Sequence, residues 1–370
     1  MSNAKTIRKI FAFNFNSNYN KIMKNQSYYN EQKVKNTEKL RVVLKELPDF
    51  ALDFFVGVEN RTSALTRLNY AYDLRLFFNW LINETNLFVG KSIYDLQIKD
   101  LERLHTTHFE RYMSYLSSYT NSDGETITNG ERGKARKIAS VRSFYKYFFR
   151  REMISVDIAS KIEMPKLHEK PIIKLEDNEV YKFLGTVESG YGLNGHEVGF
   201  HKHTKVRDIA MMTLLLGTGL RVSECVGLNI EDIDFKINAI NITRKGGNQV
   251  ILYFSDEVKV ALYDWLNERN ANPALVDEPA LFTSLQNRRI STRAVEKLVK
   301  KYAGIVTPLK KITPHKLRST YGTRLYQATQ DIYIVADVLG HKDVNTTKRH
   351  YAAISDDIRR KASTAVSLRN

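Results

Sequence analysis

Six residues in the C-terminal half are of types that together could transfer a phosphoryl group. Arg221 follows a Gly-Thr-Gly turn, and Glu224 stands three residues on, where a helix would bring its carboxylate to the guanidinium. Lys245 sits in "TRKGGNQ", beside two glycines that let the backbone turn tightly and approach another molecule. His315 and Arg318 are spaced i and i+3, so they project to one side of a helix. His341 follows Gly340, and Tyr351 lies ten residues beyond His341.

Two Arg, a Lys, two His and a Tyr, without a carboxylate cluster, suit attack on a DNA phosphodiester. The pentacovalent transition state carries extra negative charge on its non-bridging oxygens. Two guanidiniums meet that charge with bidentate hydrogen bonds and need no metal ion. A phenol, with an unperturbed pKa of about 10, becomes a usable nucleophile when cations lower that value and a histidine accepts its proton. A hairpin-tip lysine can reach into a DNA groove and protonate the leaving 5′-oxygen. Covalent capture on tyrosine conserves the bond energy, and the sequence holds neither a GxxxxGK[ST] phosphate loop nor an acidic two-metal pattern. The expected catalytic set is therefore Arg221, Lys245, His315, Arg318, His341 and the nucleophile Tyr351, with Glu224 in support, no metal and no cofactor.

Each of these residues has an ordinary reading when taken alone. Arg221 could be a surface ion-pair partner, Lys245 a plain turn lysine and His315 a helix cap. Tyr351 could be a packing residue, one of 20 tyrosines. His350, Tyr321, Tyr326 and Tyr333 are nearby rivals, and Cys225 lies in an apolar run that suits packing better than catalysis. It is the set together, not any one residue, that points to this chemistry.

The elements that must position them can be read from caps and periodicity. "VRDIAMMTLLLGTGLRVSECVGL" reads as a buried helix, a turn and a second helix. "NAINITR" and "NQVILYF", joined by "KGG", read as a β-hairpin. Amphipathic helices follow in "SDEVKVALYDWLNERN" and "ISTRAVEKLVKKYAG". "TPHKLRSTYGTRLYQAT" starts a helix at Thr-Pro, and "DIYIVADVLG" ends one at Gly340. Residues 188–204, with four glycines and three histidines, read as a surface loop. His196, His201 and His203 there have no acidic or cysteine partner at ligand spacing, so no metal is assigned to them.

The N-terminal half reads as helical, with no strand pattern. Helices are expected over 36–56, with a break near Pro48, and after the cap Thr62-Ser63. Two more are expected over "KDLERLHTTHFERYMSYLSSY" and from about Glu131 to Met153. The last carries Arg132, Lys134, Arg136, Lys137, Arg142 and Lys146 around an apolar stripe. The expected organisation is an arm or flexible segment at 1–35, a helical DNA-binding domain at 36–162, a linker at 163–177, a catalytic domain at 178–352 and a subunit-contact tail at 353–370.

Composition agrees with a polyanionic partner. The 370 residues carry a formal net charge of +16, and 42% of them are hydrophobic, enough for two cores. Phosphate contacts are assigned to Arg67, Lys134, Lys137, Arg244 and Arg293. A single cysteine rules out internal disulfides, and a reducing cytoplasm is expected, with association with the nucleoid. No apolar run suggests a membrane span, and the basic start lacks the apolar core of a signal peptide.

"GTGLRVSE", the "RKGG" hairpin, "TPHKLR" with its H-x-x-R pattern, and "LGHKDVNTTKRHY" together resemble the tyrosine recombinase/integrase family, also called the phage integrase family. Each piece is weak alone, and the ordered set over about residues 60–360 is specific. The resemblance implies a helical, SAM-like core-binding domain followed by a mixed, mainly α catalytic domain with a small antiparallel sheet. It implies strand exchange on duplex DNA through a 3′-phosphotyrosine and a Holliday junction. It also implies a homotetramer on two duplexes, with a monomer or weak oligomer in the absence of DNA and with or without an accessory protein. "ELPDFALDFFVG", the segment 188–204, "TRKGG", "AVEKLVKKYAG" and "TRLYQAT" are closer still to the single-protein Xer (XerS-like) recombinases, which resolve chromosome dimers at a dif site. An integrase or excisionase of a transposon, conjugative element or phage would carry the same catalytic set. A type IB topoisomerase-like enzyme and a non-catalytic DNA-binding protein are the remaining readings.

Overall fold

The computed structural model describes residues 28–121, 123–168, 172–244, 248–275, 278–341, 343, 344 and 347. The chain divides into two compact units between residues 169 and 170.

The first unit is built on α1 (Tyr28–Leu44), α2 (Ala51–Gly57), α3 (Ala64–Asn83), α4 (Thr106–Tyr115) and α5 (Glu131–Phe149). Helix α1 starts inside the segment expected to be an arm. Ser63 caps α3 as expected, its side chain accepting the Thr66 amide at 3.2 Å. The core is aromatic: Phe54, Phe77, Phe78, Phe109, Phe144 and Phe148 are all fully buried. Phe77 stacks on Phe109 with ring centroids 5.9 Å apart, and Phe54 meets Phe144 edge-on at 5.2 Å.

The helix expected over residues 99–119 is broken. A 3₁₀ turn (Ile98–Arg103) precedes α4, and the chain then pairs as the antiparallel strands β1 (Ser118–Thr120) and β2 (Thr126–Thr128). The turn between them explains the correction. Asn121 accepts the amides of Asp123 and Glu125 on its side-chain oxygen at 3.0 and 2.8 Å, and Gly124 takes φ 80°. An Asx turn with glycine at positive φ reverses the chain just past the end of the expected helix and draws its last residues into β1.

In the second unit the segment 188–204 is also a correction. Its latter part begins a long helix, α7 (Gly195–Thr218), after α6 (Asp177–Ser189). Asn194 and Glu197 form a capping box at the start of α7, with the Glu197 amide on Asn194 at 3.0 Å and the Asn194 amide on Glu197 at 3.1 Å. His201 is buried on this helix and pairs with the Val187 carbonyl at 2.7 Å. A polar cluster pins α7 to α10 (Thr292–Val306). Asp208 accepts from Arg207 at 2.6 Å and from the Tyr302 hydroxyl at 2.8 Å.

Helix α7 ends at Gly219 with φ 64°, and α8 (Val222–Gly227) starts just beyond it. The antiparallel sheet β3 (Ile233–Asp234), β4 (Ala239–Thr243) and β5 (Gln249–Tyr253) follows, with Thr243 opposite Gln249 at its turn end. Then come α9 (Asp256–Asn270), α10, α11 (Pro314–Thr329) and α12 (Ile332–Leu339). Helices α9 and α11 pack on α7, and α12 packs on α11. Residue Leu175, in the expected linker, is buried in this unit, with its amide on the Thr320 hydroxyl at 3.0 Å. No helix among the described residues is long and apolar enough to cross a membrane.

Candidate active site at the C-terminal end of α12

The site is organised by the way α12 stops. Gly340 takes the left-handed conformation, φ 63° and ψ 50°. The Gly340 amide donates to the Asp337 carbonyl at 2.9 Å, and the His341 amide to the Ala336 carbonyl at 2.9 Å. This is the Schellman pattern, which satisfies two of the orphan carbonyls at a helix end. The carbonyls of Val338, Leu339 and Gly340 still need donors, and three arginines supply them. Arg244 reaches Val338 at 2.6 Å and also Asp337 at 3.2 Å. Arg318 donates to Leu339. Arg221 donates to Gly340 at 3.3 Å. The negative end of the helix dipole favours this gathering of cations.

Each arginine comes from a different element. Arg221 is the residue before α8, placed by the Gly219 turn. Glu224, on the first turn of α8 and buried, accepts the Arg221 amide at 2.8 Å and its guanidinium at 2.7 Å. Arg318 lies on the second turn of α11, buried, and its other arm donates to the Gly219 carbonyl at 2.5 Å. One turn therefore both precedes Arg221 and holds Arg318. His315 is on the first turn of α11 and exposed. His341 is half-buried, and its Nδ1 shares a hydrogen bond of 2.7 Å with the hydroxyl of the buried Thr347.

The structure thus brings together Arg221, Glu224, Arg318 and His341, with His315 one turn away along α11. Lys245 and Tyr351 lie outside the described residues. Arg221 keeps a third of its side chain exposed, and its guanidinium shares one helix end with that of Arg318; paired guanidiniums are groups that meet phosphate oxygens.

A family comparison decides what this arrangement belongs to. The sequence profile of the phage integrase family matches residues 174–357. Tyrosine recombinase XerC of Caldanaerobacter subterraneus subsp. tengcongensis is 33% identical over 84% of this chain and 84% of its own length. The chain belongs to the tyrosine recombinases. Tyrosine recombinase XerS of Streptococcus thermophilus is 30% identical to this recombinase over 86% of the chain and 96% of its own length. The recombinase also shares its fold with the crystal structure of XerH site-specific recombinase bound to a palindromic difH substrate. The TM-score is 0.59 at 19% identity, over 81% of this chain and 80% of that one.

Two of the residues expected to contact DNA have protein partners in the structure. Arg67 is buried at 5% exposure and ion-paired with Glu59 at 2.5 Å, so its charge serves the first unit's own packing. Arg244 is spent on the end of α12. Burial lowers its pKa from the ordinary arginine value, Glu224 acts in the opposite direction, and Arg221 lowers it further. The motif that flagged Lys245 held no signal for this use of its neighbour, because the carbonyls concerned lie some 90 residues away in sequence. Thr347 was likewise missed as the partner of His341. Lys134 and Lys137 are half-buried on α5, bonded to Ser117 at 2.5 Å and Asn129 at 2.8 Å, and Arg293 is 80% exposed at the start of α10.

Proposed function

We propose that this recombinase cleaves and rejoins duplex DNA at a specific site through Tyr351. The observation that carries the proposal is the placement of Arg221 and Arg318 on adjacent carbonyls beside His341. In the proposed step the Tyr351 oxygen attacks the scissile phosphorus and the bond to the 5′-oxygen breaks. His315 takes the phenolic proton, and Lys245 gives a proton to the leaving oxygen. Arg221 and Arg318 balance the charge of the pentacovalent state, with His341 supporting the phosphate. The product is a 3′-phosphotyrosine and a free 5′-hydroxyl. Attack by the hydroxyl of a second duplex reverses the step and forms a Holliday junction. No metal or cofactor takes part.

The assembly proposed is a homotetramer on two duplexes, with the unit around 36–162 and the catalytic unit around 178–352 both contacting DNA and residues 353–370 contacting a neighbouring subunit. Lys134, Lys137 and Arg293 are the proposed phosphate contacts. Resolution of chromosome dimers at a dif-like site, in the cytoplasm on the nucleoid, is the biological role we favour. Its support is the likeness to XerS over 96% of that protein's length.

A nicked duplex that traps the cleaved strand tests the reaction. Wild type should form a covalent adduct stable to denaturant. Tyr351→Phe should bind the duplex and form none. An adduct on Tyr351→Phe would remove Tyr351 as the nucleophile.

A further inference from the structure

Arg244 was expected to meet DNA, yet its guanidinium is turned inward. It follows β4, and its amide donates to the Asn248 carbonyl at 2.8 Å, fixing the two points from which residues 245–247 depart. Its side chain crosses to α12 and donates to the carbonyls of Asp337 and Val338 at 3.2 and 2.6 Å. Its Nε is buried and finds no acceptor among the described residues. The charged groups that face it are Glu224, Arg221 and Asp337. Gly340 completes the seat, because a Cβ built there would fall on the Arg244 guanidinium.

The next two carbonyls of the same turn, Leu339 and Gly340, hold Arg318 and Arg221. Any shift of that turn moves both phosphate-binding arginines and the His341 that follows it. We propose that Arg244 is a positioning residue for strand cleavage: it locks the last turn of α12 to strand β4, so that Arg318, Arg221 and His341 meet the scissile phosphate in register. The inference rests on the proposed recombinase reading. Arg244 reaches the reaction only through the groups it holds.

The test uses the full chain and a panel of nicked duplexes carrying dif-like sites. Three quantities are read for Arg244→Ala, Arg244→Lys and Gly340→Ala: the adduct-forming rate at saturating DNA, the affinity with its salt dependence, and Tm. Misplacing reacting groups by about 1 Å costs on the order of 100-fold in rate. Arg244→Ala should lose about that much in rate while affinity stays within about twofold and the salt slope is unchanged. Arg244→Lys should recover part of the rate, because an ammonium can still serve one carbonyl. Gly340→Ala should reproduce the loss, and should cost less when Arg244 is already alanine.

If Arg244→Ala lowers affinity and flattens the salt dependence with the saturated rate unchanged, Arg244 is a DNA contact and the proposal is overturned. If it lowers only Tm, the residue is merely structural and the proposal is overturned as well. Should Arg244→Ala fail to fold, Arg244→Lys and Gly340→Ala decide by the same criteria. Wild type forming no adduct at all would sink the recombinase reading and this inference together. Wild type forming one while every variant cleaves at the same rate sinks only the inference.

Discussion

Glu224 holds Arg221 at two points: one carboxylate oxygen accepts the Arg221 amide at 2.8 Å and the other accepts its guanidinium at 2.7 Å. The first bond starts α8 and the second aims the side chain, so the backbone and the cation are set by one buried group. Glu224→Gln keeps the shape but offers only one acceptor oxygen for the two bonds. Cleavage at saturating DNA should fall by roughly 10- to 100-fold, since the guanidinium loses its orientation rather than its charge. Affinity should stay within about twofold. Single-turnover adduct formation on the nicked duplex measures the first, and a binding titration the second.

Arg67 and Arg293 separate a structural cation from a DNA-facing one. Arg67 is buried and paired with Glu59, so Arg67→Ala should cost about 1–2 kcal/mol of stability and leave the salt dependence of DNA binding alone. Arg293 is 80% exposed, with Glu296 3.6 Å away. If it contacts a phosphate, Arg293→Ala should lower the logarithmic salt slope by about one and leave stability within about 0.5 kcal/mol. Chemical denaturation and DNA titrations at several salt concentrations tell the two apart. A salt slope lowered by about one in Arg67→Ala would make that residue a DNA contact.

What was legible in the sequence was local. Thr62-Ser63, Thr313-Pro314 and Gly340 marked helix ends because caps depend on residues a few positions away. The motif residues Arg221, Arg318 and His341 were identified by type and order, and they do converge. The β1–β2 hairpin was not expected because Ser118 and Tyr119 were read as the end of a helix and each strand is only three residues long, although Asn121 and Gly124 carry a turn signal. The start of α7 was missed because glycines and histidines masked the Asn194–Glu197 capping box. The use of Arg244 was not legible at all. A guanidinium can donate to a phosphate or to a carbonyl, and the residue type alone does not say which it meets; the folded distance from β4 to α12 brings the carbonyls within reach.

Gly219 and Gly185 should respond to alanine with opposite signs. Gly219 has φ 64°, and a Cβ there would meet the Tyr321 ring at 2.5 Å and Leu339 at 2.9 Å. Gly219→Ala therefore combines a left-handed backbone cost of about 1 kcal/mol with crowding of about 1–3 kcal/mol. Because the Gly219 carbonyl also holds Arg318, the cleavage rate should fall along with Tm. Gly185 lies inside α6, and a Cβ there meets nothing within 4 Å. Gly185→Ala should raise stability by about 0.5–1 kcal/mol with cleavage unchanged. Thermal melts of the two variants check the signs.

Cys225 supplies a pH signature of the second unit. Its side chain is 1% exposed on α8, and burial, reinforced by Glu224, pushes its thiol pKa well above the ordinary value. The unfolded thiol ionises from about pH 8.5 upward, whereas the folded one stays protonated. The raised folded value means that the stability from this group is fully present below pH 8.5 and is lost as the pH rises through the window between the two values. Between pH 7.5 and 9.5 wild type should lose about 1 kcal/mol more than Cys225→Ala, read from urea midpoints at each pH. In the folded protein a thiol reagent at pH 8 should label Cys225 only at the rate of global or local opening. Rapid native-state labelling would mean that α8 opens easily, and the positions of Glu224 and Arg221 at its first turn would then be less firmly held than the geometry implies.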